Sequence, residues 1–107
     1  MPPTLTASER AAAREQAALA RRIRVELKRQ VSQGELPFAE LLALSRTDTT
    51  EGRSAAKLRV GEVILAVPGV GPATADAGLV AAGINGNRRI RGLGPVQVRK
   101  LTAVLGL

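Results

Sequence analysis

Arg88, Arg89 and Arg91 place three guanidinium groups within four residues, the densest basic cluster in the sequence. Ile90 reads as an inward anchor that leaves the three arginines outside, and Gly92 and Gly94 permit a compact bend that fixes the segment. Arginine suits a polyanion because its planar fork engages phosphate bidentately and fits a narrow minor groove. A second grouping precedes it. At 100° per residue, Arg10, Arg14, Arg21, Arg24 and Lys28 fall in one helical strip about 80° wide. Leu19, Ala20, Ile23 and Leu27 lie opposite, and Glu9, Glu15 and Glu26 lie well off the strip. Five cations in a row repel one another unless an anion is nearby, so the strip is expected to track a phosphate backbone.

The third candidate is backbone rather than side chain. Pro68-Gly69-Val70-Gly71-Pro72 stands between two helical stretches. Glycines allow a ligand to approach closely, and the unpaired N–H groups that begin the second helix carry positive partial charge. Gly69, Val70 and Gly71 are therefore candidate phosphate contacts, with Val70 expected to plug into the core. The pattern is not a dinucleotide fingerprint, since Thr74 occupies the third glycine position, and no Gly-Lys-Ser/Thr follows to make a Walker loop.

What the sequence lacks narrows the chemistry further. It has no Cys, hence no disulfide, thiolate nucleophile or cysteine metal site, and no His, the usual general base near neutral pH. The carboxylates Asp48, Glu51, Glu62 and Asp76 show no paired or metal-binding spacing. No catalytic residue, metal or cofactor is expected, and no small-molecule substrate. The longest apolar run, Val63 to Val67, is far below the roughly 18 residues that a membrane span requires. No signal-peptide-like stretch opens the chain. A cytoplasmic, non-enzymatic protein is the expectation. Sixteen Lys/Arg against nine Asp/Glu leave a net charge of +7, which favours a polyanionic partner through counterion release. The charge balances are +4, −2 and +5 over residues 1–34, 35–56 and 57–107.

These groups must be positioned by helices. A 107-residue chain whose apolar content is almost wholly Ala, Val, Ile and Leu reads as all-α. Residues 1–34 form a long basic helix, opened by capping-box spacing at Thr6 and Glu9 and stopped at Gly34. Residues 35–107 form a small helical bundle, the two parts making one folded unit. Within it, Pro37 starts a short helix through Leu44, and Thr47 to Arg53 reads as a loop or frayed turn around Gly52. The acidic middle receives no functional site. Glu62–Val67, Pro72–Ala82 and Val96–Leu105 are the remaining predicted helices.

With these residues in view, the chain resembles the actinobacterial, mycobacterial-type integration host factor family, which is unrelated in fold to the αβ architectural protein of the same name. The resemblance runs from Glu9-Arg10-Ala11-Ala12-Ala13 through Lys57-Leu58-Arg59-Val60 and Val67-Pro68-Gly69-Val70-Gly71. It is most specific at Asn87-Arg88-Arg89-Ile90-Arg91-Gly92-Leu93-Gly94. It implies a long N-terminal helix joined to a bundle containing a helix–two-turns–helix module. It also implies monomeric, largely sequence-independent binding to double-stranded DNA, with bending, nucleoid compaction and a part in phage integration. The family's DNA-contacting arginines map onto Arg88, Arg89 and Arg91, and its turn module onto Gly69, Val70 and Gly71. The chain departs from relatives around the turn, where Gly69 and Pro72 are neutral and Asp76 is acidic. That shifts weight to the arginine segment, with Arg10 to Lys28 as a secondary DNA surface.

Two other readings compete. One is a module for structured or ribosomal RNA using the same surfaces; the other is a protein-interaction module whose Ala-rich helix binds an acidic partner. Phe38 is the sole aromatic residue, so stacking on single-stranded bases is disfavoured.

Overall fold

A computed structural model of the protein describes residues 4–107. Helix α1 (Ala7–Ser32) is the predicted long helix. Its capping box forms: the Glu9 amide donates to Thr6 Oγ1 at 3.1 Å and the Thr6 amide to Glu9 Oε1 at 3.4 Å. Just past its end, Gly34 takes the left-handed conformation at φ 75° and donates to the Val31 carbonyl at 3.1 Å. Twenty-six residues extend it about 39 Å.

Only the second half of α1 is anchored. Leu27 and Val31 are buried and Ile23 packs on the core, where α1 meets α3 (Thr50–Ala56) and α4 (Val60–Ala66). No residue from Ala7 to Arg22 is buried. Arg29 locks the C-terminal end by pairing with Glu26 at 2.8 Å and Glu35 at 3.0 Å. Its hydrogen bonds hold the Glu26 carboxyl below the usual carboxylate range.

Pro37 precedes α2 (Phe38–Leu44), which buries Phe38, Leu41 and Leu42. The loop expected over Thr47 to Arg53 is shorter than predicted, because α3 begins at Thr50. Thr49 caps that helix, accepting from the Gly52 amide at 2.9 Å. Gly52 does not break the helix; it lets the backbone close in. A Cβ there would stand 2.6 Å from the Leu44 carbonyl oxygen, so this corner between α2 and α3 requires glycine.

Helix α4 starts two residues earlier than predicted. The Val60 and Gly61 amides donate to the carbonyls of Arg88 and Gly86, at 2.8 and 2.9 Å, and these distant partners satisfy a helix start that local signals do not mark. Helices α5 (Pro72–Ala82) and α6 (Pro95–Leu105) pack against each other, with Gly78 against Leu101 and Leu105. Gly83 and Gly106, both left-handed, end them. A 3₁₀ turn, Ile90–Gly92, lies between them. Leu41, Val60, Val63, Ile64 and Leu101 are fully buried in an aliphatic core. No helix among the described residues is long and apolar enough to cross a membrane.

Candidate nucleic-acid interface

The arginine segment is held by backbone pairing, not by a helix. Arg59 and Arg89 form an isolated antiparallel bridge. The Ile90 amide donates to the Leu58 carbonyl at 2.8 Å, and the Ile90 side chain is buried as the expected anchor. An Asn85 turn prepares this pairing: its side-chain oxygen accepts from the Asn87 amide at 2.8 Å and its carbonyl from the Arg88 amide at 2.9 Å. Gly61 and Gly86 touch across the joint, since a Cβ on Gly61 would lie 2.9 Å from the Gly86 carbonyl oxygen.

The joint sets the arginines in different directions. Arg89 is half-buried, and its Nη1 donates to the Lys57 carbonyl at 2.8 Å, while Arg59 Nη1 donates to the Asn87 carbonyl at 3.2 Å. Arg88 reaches over Gly92 to the Gln97 side chain at 3.3 Å. Arg91 stays exposed beside the end of α2. Of the three guanidinium groups expected on one outer surface, one therefore turns toward α1.

There it meets the strip. Arg21, Arg24 and Lys28 of α1, Lys57 and Arg59 of the α3–α4 joint, and Arg89 line one groove of about 500 Å³. Ala17 and Ala20 line it too, so α1 presents small side chains between its cations. Glu62 is the one carboxylate in this lining, 3.5 Å from Lys28 Nζ. Arg24 and Arg89, neither of them paired with a carboxylate among the described residues, are half-buried, which raises the benefit of an incoming anion. Arg10 and Arg14 lie beyond the groove on the unanchored half of α1, with Arg10 Nη1 on the Leu5 carbonyl at 2.9 Å.

The glycine turn stands apart from this surface. Gly69, at φ 85°, reverses the chain after α4, and Gly71 is the N-cap of α5 with Pro72 at its first position. Val70 is half-buried against the core, a looser plug than expected. None of Gly69, Val70 and Gly71 lines the groove, and no Lys or Arg occurs from Val60 to Asn87.

Lys57 and Arg59 are the groove residues that the search for charge clusters missed. A signal was present, because Lys57-Leu58-Arg59 repeats the cation–aliphatic–cation order of Arg89-Ile90-Arg91. Leu58 and Ile90 are both buried, as roots of two paired extended pieces.

The fold over residues 31–104 is that of an S13-like H2TH domain, whose family model those residues match. The chain belongs to the integration host factor family. It is 35% identical to the integration host factor of Streptomyces coelicolor over 97% of this chain and 94% of that protein. The Mycolicibacterium smegmatis protein of that name is 38% identical over 92% of this chain and 90% of its own length. The one from Mycobacterium tuberculosis is 36% identical over 97% and 95%. A solved structure of sIHF bound to an 8-bp palindromic DNA is similar to this fold at a TM-score of 0.70 and 31% identity, covering 86% of this chain and 99% of that one.

Proposed function

We propose that this chain is a nucleoid-associated protein that binds double-stranded DNA through its phosphates, largely independently of sequence, and bends or compacts it. The groove carries this reading: six cations from three separated segments converge there against one carboxylate. A duplex backbone, with one charge per roughly 1.7 Å of axis, is the anion dense enough to engage such a surface. The DNA-bound relative supports the same partner. Arg10 and Arg14 extend the basic line along α1, and Arg88 and Arg91 lie outside the groove, so one chain offers phosphates more than one surface, as bending requires. The Gly69-Val70-Gly71 turn contributes backbone N–H groups at the start of α5 rather than charge. Binding is the whole activity in this reading: the protein works as a monomer in the cytoplasmic nucleoid, without cofactor, metal, membrane or small-molecule substrate.

The test is duplex affinity against salt. Wild-type protein should show a slope of log K against log salt of roughly −4 to −6, from five or six neutralised phosphates. Duplex DNA should also outcompete a structured RNA of equal length. A slope near zero, or an RNA that wins, overturns the proposal.

Glu62 provides a finer check, since it competes with phosphate for Lys28. Glu62→Gln should tighten duplex binding at about 0.1 M salt by up to roughly eightfold and steepen the slope by about one unit. Unchanged affinity would remove Lys28 from the contact surface.

A further inference from the structure

The arginine segment feeds two recesses, and only one of them is the groove. Arg89 is extended, at φ −80° and ψ 151°, and lies in the groove. The 3₁₀ turn that begins at Ile90 carries Arg91 elsewhere, to a separate recess of about 130 Å³. Leu42, Ile90 and Leu93 give that recess apolar walls, and Arg46, just past the end of α2, joins Arg91 there. The two recesses share no lining residue.

The chemistry of this recess is unbalanced. No carboxylate lines it. Among the described residues, neither Arg46 nor Arg91 forms an ion pair or donates a side-chain hydrogen bond to protein. By contrast, Arg59, Arg88 and Arg89 each donate to a protein acceptor. Arg53, the other cation of the acidic middle stretch, is paired with Asp48 at 2.7 Å. The Ser45 hydroxyl, also in the lining, is already committed to the Leu42 carbonyl at 2.6 Å. Two exposed guanidinium groups with free donors thus line one recess without a counter-charge. Their forked donors match the oxygens of a phosphate.

We propose that Arg46 and Arg91 form a second phosphodiester site, which holds a duplex phosphate distinct from those in the groove. The inference rests on the duplex-DNA reading above and adds a site within residues 35–56, whose net charge of −2 conceals it. The buried Ile90 side chain roots the ridge between the two sites, so Arg89 and Arg91 grip phosphates on separate sides of it.

The experiment is a salt titration of binding to a 20-bp duplex by Arg46→Ala, Arg46→Lys, Arg89→Ala and Arg91→Ala, with the Arg46/Arg91 and Arg46/Arg89 double alanine variants. Arg46→Ala should flatten the slope by about one unit and weaken binding about eightfold at 0.1 M salt relative to a 1 M reference. Arg46→Lys should keep the wild-type slope. Losses should be additive for Arg46 with Arg89 and less than additive for Arg46 with Arg91, because the latter pair shares one anion. An Arg46→Ala protein with wild-type slope and affinity, beside a weakened Arg89→Ala, overturns the second site and leaves the groove standing. Additive losses for Arg46 with Arg91 overturn the shared phosphate. Wild-type protein that ignores duplex DNA at 50 mM salt overturns both readings.

Discussion

Alanine at Arg21, Arg24 and Arg89 together is expected to weaken duplex binding by two to three orders of magnitude at about 0.1 M salt and to flatten the salt slope by about 2.7 units. These three residues come from two chain segments and converge in one groove with Lys28, Lys57 and Arg59. Each phosphate neutralised contributes about 0.9 of a unit of slope, so three lost contacts give the figure. Arg10→Ala/Arg14→Ala removes as many charges as two of the three and belongs to the same helical strip, yet lies outside the groove. Its effect should be smaller. Fluorescence anisotropy over a salt series separates the possibilities: equal losses for the two variants would mean that net charge, not the groove, determines affinity.

Gly52→Ala should be the most damaging single methyl addition in the chain. The new Cβ would press on the carbonyl oxygens of Leu44 and Thr47, which are backbone atoms and cannot swing aside. Overpacking of this kind costs about 2–3 kcal/mol. For a domain of this size that is a fall in Tm of roughly 10–20 °C. Gly71→Ala is the control, because nothing lies within 4 Å of its added Cβ and its φ of −86° suits any residue. It should melt within about 0.5 kcal/mol of wild type. A Gly52→Ala protein with the melting curve of Gly71→Ala would show that α2 and α3 do not meet as described.

Gly52 also shows where sequence reasoning lost the fold. Glycine in a polar stretch signals a turn, and the same residue serves here to let two backbones touch inside a capped helix. Only the tertiary neighbour distinguishes the two uses. Where punctuation is local, prediction and structure agree: Thr6 and Glu9 open α1, Gly34 follows its end, and Pro37 precedes α2. Where a distant partner supplies the hydrogen bonds, they diverge, as at Val60, whose amide depends on Arg88. The site divides in the same way. Helical periodicity alone identifies Arg21, Arg24 and Lys28 as neighbours. Their meeting with Arg89 and the addition of Lys57 and Arg59 depend on pairing between residues about 30 positions apart, which no periodicity records. The recess at Arg46 is hidden for a further reason: a 3₁₀ turn separates Arg91 from Arg89, although their spacing in a strand would put them on one face.

The half-anchored helix α1 has a thermodynamic consequence. The ten residues from Ala7 to Gln16, short of the groove, hold their hydrogen bonds with a cap and good helix formers but with nothing buried beneath them. Their amides therefore open to solvent by local fraying, at a small fraction of the free energy needed to expose Ile64 or Leu101. A ligand that engages this arm must first hold it still, and part of the association free energy is spent on that ordering. Contacts made by Arg10 and Arg14 consequently strengthen binding less than their charge suggests, whereas the cations above the packed core act on a surface already fixed.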